Sequence, residues 1–170
     1  MTRKVVTYPE SVLAQKAAPI TDITADVVAL ADGMAETMYA NQGIGLAANQ
    51  VGELVRLVTV DLSGPDKREE LVTLINPVIV AAEGETETEE GCLSVRDFRA
   101  NVVRSEKVQV RGVDLSGKDV SLDAEGLLAV CLQHELDHLD GILFIDRISR
   151  LKRSMYDKRL KRWIRKAQDD

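Results

Sequence analysis

Apolar and polar positions recur along this chain with two different periods, and the switch between them marks its organisation. Val27, Val28, Ala31, Met34, Ala35 and Met38 repeat at helical spacing. Thr24 stands where an N-cap belongs, Asp26 gives an acidic first turn, and Asn41-Gln42-Gly43 ends the pattern. The middle of the chain turns to β-branched runs at 56–62, 71–80 and 107–115, with loops such as Ser63-Gly64-Pro65-Asp66 between them. Asn76-Pro77 predicts a kink or a sheet edge. From Glu83 to Glu90, five Glu stand among Gly and Thr with charge on alternate positions through Glu89. That spacing predicts an exposed edge strand.

The helical period returns after Asp123, the expected cap of a helix through Leu127, Leu128, Cys131 and Leu132 to Leu139, with Gly141 as its stop. Ser149 is the expected cap of a last helix. There Leu151, Met155, Leu160, Trp163 and Ala167 predict one apolar stripe, and the basic residues take the other face. Strands grouped between helices, rather than alternating with them, predict an α+β fold. The expected arrangement is antiparallel or mixed β-sheets packed around the central helix, with a C-terminal helix added. No repeat or long linker interrupts the 170 residues, so 1–170 reads as one domain.

Composition narrows the class. With 45% apolar and 29% charged residues the chain can build a core, which excludes intrinsic disorder. The longest apolar run, Leu127 to Leu132, is far shorter than the roughly 20 residues of a membrane span. The N-terminal MTRKVVTYPE lacks an export signal, and with only two cysteines a cytoplasmic location with reduced thiols is expected. The net charge of −6 hides a split. Residues 149–170 hold nine Lys/Arg against three Asp, a local +6, which leaves −12 on the rest. An acidic body disfavours sequence-specific nucleic-acid binding, whereas a basic helix can dock on an anionic partner or simply be solvated.

Candidate chemistry concentrates in His134-Glu135-Leu136-Asp137-His138, which contains both histidines of the chain. At i and i+4 on a helix the imidazoles share a face and can grip one ion. Glu135, about 100° round the helix, can reach a water beside that ion without ligating it. A catalytic site usually takes three protein ligands. No third His exists and no Glu follows Glu135, which removes the usual partners of HExxH peptidases. Asp146 or Asp157 remains formally open, but a thiolate is the stronger ligand for a borderline metal. Cys131 and His138 lie about 10 Å apart along one helix, too far to converge. Cys131 therefore reads as a buried hydrophobe, and Cys92, in Glu90-Gly91-Cys92-Leu93-Ser94, as the better ligand. The third element, Gly43-Ile44-Gly45-Leu46-Ala47-Ala48-Asn49-Gln50-Val51-Gly52, lets backbone approach closely but has neither P-loop nor dinucleotide-site spacing. By composition alone it is a compact turn under the first helix.

Together GIGLAANQVG, EGCLS and QHELDHLDG resemble the three motifs of the peptide deformylase family, in that order, and the likeness covers most of the chain. The resemblance implies one divalent metal on Cys92, His134 and His138, with Fe(II) the physiological ion and Zn, Ni or Co as substitutes. It implies a metalloamidase that removes the formyl group from N-formyl-methionyl peptides and releases formate, with Glu135 moving protons. It implies an oxyanion hole from the Gln50 amide and the Leu93 backbone N–H. Gly43, Gly45 and Gly91 resemble the cleft edges along which an extended peptide lies, and Ile44, Leu127, Val130 and Cys131 a methionine pocket. The basic helix would dock on the ribosome, separably from hydrolysis of a short peptide.

Two departures stand out. Asn49 occupies a position where family members often carry Pro or Thr, and Val95-Arg96 stands where many continue with Val/Ile-Pro. The lost proline is expected to free the backbone and to add a cation at the cleft rim. An HExxH endopeptidase and a binding module with a structural metal are the competing readings. The missing third His or downstream Glu opposes the first, and an intact Glu135 and Gln50 the second.

Overall fold

The computed structural model describes residues 1–169. Helix α1 (Ala25–Ala40) leads into β1 (Gly45–Ala47), β2 (Leu57–Val60), a one-turn α2 (Gly64–Lys67) and β3 (Val72–Glu83). Then come β4 (Thr86–Cys92), β5 (Val95–Arg104), β6 (Lys107–Val113) and β7 (Asp119–Glu125), followed by α3 (Gly126–Leu139) and α4 (Arg150–Asp169). The strands form a five-stranded sheet, β1-β2-β3-β6-β7, and a separate β4–β5 ribbon. All strand pairs are antiparallel, so the α+β expectation holds.

The large sheet is covered on both faces at its β1–β3 end. Leu46, Leu57 and Ile75 pack with Leu30, Met34 and Met38 of α1. Ala47, Val58, Val60 and Leu74 pack with Ala129, Leu132 and Leu139 of α3. A strand buried on both faces needs a continuous apolar run, which is why β2 reads LVTV without alternation and is buried throughout. The β4–β5 ribbon closes a third cluster, in which Val95, Ala100 and Val102 meet Phe144, Tyr156 and Leu160.

α1 begins and ends as its pattern predicts, with the Thr24 hydroxyl accepting from Val27 N–H. Ser149 likewise accepts from Lys152 N–H at the start of α4. Other expectations need correction. Asp123 caps nothing: it lies in β7, and α3 starts at Gly126, whose φ of +60° lets the strand turn directly into the helix. Residues 64–66 of the expected loop form, with Lys67, the turn α2. Of the two readings of Asn76-Pro77 the kink holds and the edge does not: it forms a bulge inside β3, which has β2 and β6 on either side. Asn76 takes φ +51° there, and its side chain pairs with both backbone groups of Ile20 at 2.8 Å.

On α4 the expected stripe is displaced. Leu151 and Met155 are exposed, while Tyr156 and Leu160 are buried with Trp163 packed against their cluster. The sequence pattern does not mark β1, which pairs with β2 inside the expected compact turn, nor β5 and β7, where charged residues dilute the alternation. No helix among the described residues is long and apolar enough to cross a membrane.

Candidate metal centre

The apolar first half of α3 fixes the helix against the sheet, and its next turns carry His134 and His138 inward, both buried. Cys92 arrives from the other side. The β4–β5 pairing bulges between Glu90 and Cys92, and Cys92 then pairs with Val95 across a tight turn. Ser94 N–H donates to Cys92 Sγ at 3.4 Å within that turn. The donor atoms of Cys92, His134 and His138 consequently lie within 4.8 Å of one another. His138 Nε2 is 3.1 Å from His134 Nε2 and 3.3 Å from Cys92 Sγ.

Those separations fit an ion. Tetrahedral bonds of about 2.0–2.3 Å put nitrogen and sulfur ligands about 3.3–3.6 Å apart, close to what is seen. His134 Nδ1 sits 2.8 Å from Glu90 Oε1, which directs its Nε2 toward the other two donors. Burial first, then His134 and Arg104, hold His138 well below the usual imidazole range, so it is neutral as a ligand must be. Burial alone would lower His134, but hydrogen bonds to Cys92 and Glu90 push it well up. The site thus favours a positive centre between its donors. Cys131 takes no part: burial, then Glu135, raises its thiol pKa, and its Sγ faces the Ile44 carbonyl oxygen at 3.8 Å.

The exposed acidic strand expected over 83–90 fails at Glu90, which is buried. It is 6% exposed and receives Arg104 Nε at 2.8 Å and Nη2 at 2.9 Å. Burial would raise its pKa, but Arg104 and His134 hold it at about 2. Strand parity could have found it, because Glu89 and Glu90 are adjacent and must point to opposite faces.

Glu135 lies beside the three donors with its Oε2 buried and unpartnered, and burial raises its pKa to about 7. Gln50 is oriented at both ends: Ala47 N–H donates to its Oε1 at 2.9 Å, and its Nε2 points to Ser94 Oγ at 3.2 Å and Cys92 Sγ at 3.5 Å. The N-terminal segment ties these loops together, with Val6 N–H on Gln50 O and Tyr8 N–H on Ser94 O.

A cleft of about 670 Å³ opens onto this centre. Gly43, Ile44, Gly45, Gly91, Leu93, Leu127, Val130 and Cys131 all line it, together with Gln50, Cys92, His134 and Glu135. Phe98 and Arg99 also line it and were not anticipated. Arg96 does not line it: its guanidinium stacks 5.0 Å from the Trp163 ring of α4. The expectation of Arg96 at the rim is corrected: the arginine that lines the cleft is Arg99, which pairs with Glu89.

A family model described as polypeptide deformylase matches residues 2–154. The chain belongs to the polypeptide deformylase family. It is 52% identical over 154 residues to a peptide deformylase of Thermodesulfovibrio yellowstonii, covering 91% of this chain and 93% of that one. The crystal structure of a deformylase from Legionella pneumophila superimposes with a TM-score of 0.93 at 41% identity, over 100% of this chain and 99% of the other. A class I type b deformylase from Acinetobacter baumannii, solved bound to Met-Ala-Ser, gives 0.80 at 36% identity over 87% and 99%. Deformylase membership accounts for the three sequence motifs meeting at one centre. The match ends inside α4, so the last turns of the basic helix lie beyond it.

Proposed function

We propose that Cys92, His134 and His138 hold a single divalent metal ion, Fe(II) in the cell and replaceable by Zn, Ni or Co, and that Glu135 moves the protons. As a deformylase the chain is a hydrolase that removes the N-formyl group from newly made polypeptides. The observation that carries the residue assignment is the convergence of the three donors beside a buried, unpaired carboxylate at the floor of a cleft. A bound ion would supply positive charge to polarise the formyl carbonyl and acidify a water.

The chain's own residues do the rest. Glu135, with a carboxyl pKa near neutrality, takes a proton from the attacking water and passes it to the departing amine. Water oxygen bonds to the formyl carbon, the C–N bond breaks, and formate leaves with a free N-terminal amine. The Gln50 amide and Leu93 N–H donate to the carbonyl oxygen as it gains negative charge. The edges at Gly43, Gly45 and Gly91 accept an extended peptide backbone, and Ile44, Leu127, Val130 and Cys131 receive the methionine side chain. The Met-Ala-Ser-bound relative supports that reading of the cleft.

The test is formate release from a formyl-Met peptide by anaerobically handled protein. Turnover that falls with Glu135→Ala by about 10²–10⁴-fold while metal is retained is the expected result. No release after iron, nickel or cobalt is restored would overturn the reading.

We further propose that residues 1–170 act as one catalytic unit in the cytoplasm, with the basic helix docking on the ribosome. Lys161, Arg162, Arg165 and Lys166 are exposed and support that role. Deleting the whole helix is a poor test, because Tyr156 and Leu160 belong to a core cluster with Phe144. Replacing those four residues by Gln should weaken salt-sensitive cosedimentation with ribosomes and spare hydrolysis of a short peptide. Unchanged cosedimentation would return them to a solvated surface.

A further inference from the structure

The two residues inside the HExxH motif differ sharply in surroundings. Leu136 is apolar, whereas Asp137 is buried and heavily paired. Its Oδ2 receives Arg104 Nη1 at 2.5 Å and Arg147 Nε at 2.6 Å, and its Oδ1 receives Arg147 Nη2 at 2.6 Å. Arg104 continues as a two-pronged donor onto Glu90, and Glu90 Oε1 meets His134 Nδ1. An unbroken line of charge-assisted hydrogen bonds therefore runs from Arg147 through Asp137, Arg104 and Glu90 to a ring nitrogen of the metal centre.

Arg147 is the outer end of that line. Its side chain is 41% exposed, against 3% for Arg104 and 6% for Glu90. It lines a second cleft of about 580 Å³, which α3 borders with Gln133, Leu136 and Asp137 and not with the residues that line the substrate cleft. The two arginines balance the two carboxylates, so the group is neutral as built. Without Arg147, Asp137 Oδ1 loses the partner it has and the group becomes net negative. Arg104 is then the one cation left for two carboxylates, and its fork on Glu90 loosens. Buried charges that lose one partner are strongly disturbed, unlike exposed pairs.

We infer that Arg147 is a positioning residue for the metal centre, acting on His134 through Asp137, Arg104 and Glu90. This rests on the reading of Cys92, His134 and His138 as metal ligands. Changing the partner of a ligand histidine typically lowers metal affinity 10–100-fold. Arg147 acts three residues further out than Glu90, so the loss expected is near the lower end, about 10-fold. Lysine keeps the charge but cannot fork onto Asp137, so Arg147→Lys should recover only part of that loss.

The control is Arg56, which lines the same cleft and pairs with Asp140 at 2.9 Å but has no link to Glu90. Metal affinity is measured by chelator competition on wild type, Arg147→Met, Arg147→Lys and Arg56→Met. In parallel, proton NMR of the metal-free proteins reports the hydrogen bond between His134 Nδ1–H and Glu90 through the shift of that proton. The expected result is weaker binding and a weaker Nδ1–H bond in Arg147→Met, intermediate values in Arg147→Lys, and wild-type values in Arg56→Met. Equal affinity and an unchanged Nδ1–H shift in Arg147→Met and wild type would overturn the inference, as would an equal loss in Arg56→Met. Should Arg147→Met not fold, Arg147→Lys carries the same comparison. A wild type that binds no metal would overturn the ligand assignment instead, while the Nδ1–H comparison still decides whether Arg147 positions His134.

Discussion

The Glu135 carboxylate occupies the space a side chain on Gly45 would need: a Cβ there would lie 2.5 Å from Oε1 and 2.9 Å from Cys131 Sγ. Gly45 is therefore required by the neighbouring carboxylate, and its φ is not among the positive values. Gly45→Ala should push Glu135 off its position while leaving the three metal donors in place. A displacement of about 1 Å in a catalytic group can cost 10²-fold in rate, and kcat is expected to fall by that order. Steady-state formate release together with metal content checks it. Lost metal, or an unchanged kcat, would contradict the geometry.

The two thiols should separate cleanly. Cys92→Ala removes a donor that lies 3.3 Å from His138 Nε2 and is expected to abolish tight metal binding. Cys131→Ala removes a thiol turned toward the Ile44 carbonyl and should retain the metal, with a stability loss of roughly 1 kcal/mol from the small void. Metal analysis after gel filtration distinguishes them, and equal loss in both variants would show that both thiols serve the ion.

How much of this was legible in the sequence depends on how local the signal is. The i, i+4 spacing of His134 and His138 is set within one helix, and α1 carries its own cap at Thr24, so both could be read directly. Cys92 could be chosen over Cys131 because helical rise excludes the latter. Glu90, Arg104 and Asp137 could not be joined that way. Their contacts span 14 and 33 residues and depend on strand pairing that puts β5 beside α3. Asp123 misled for a related reason: an N-cap residue type is also compatible with an exposed strand position in β7. Arg96 was displaced from the rim by an aromatic partner, Trp163, 67 positions away.

Burial of Glu135 has a pH consequence in the metal-free protein. Its carboxyl pKa is raised from 4.5 to about 7, so the folded state prefers the protonated form. The stabilisation from that proton is fully present below about pH 4.5 and is lost as pH rises through about 7. Glu135→Gln holds the neutral form at every pH. Its stability relative to the parent should be nearly constant below pH 4.5 and gain on the order of 3 kcal/mol by pH 8, the worth of that shift. Urea unfolding of both apoproteins at pH 4.5 and pH 8 measures it. A difference that does not widen between these values would place the burial of Glu135 in doubt.

The first turns of α4 back the metal centre through aromatic contacts. Tyr156 is 2% exposed, its ring lies 4.6 Å from Phe98 and its hydroxyl donates to the Arg96 carbonyl at 3.1 Å. Phe98 stacks on Phe144, which in turn stacks on His134 at 6.1 Å. Removing the Tyr156 ring leaves a cavity in a cluster that the large sheet does not share, and Tyr156→Ala should cost about 3 kcal/mol or more. Leu151→Ala, on the exposed face of the same helix, should cost less than about 0.5 kcal/mol. Thermal unfolding of the two variants compares them directly. A loss in Leu151→Ala as large as that in Tyr156→Ala would mean that Leu151 is packed, and the expected stripe of Leu151 and Met155 would be restored.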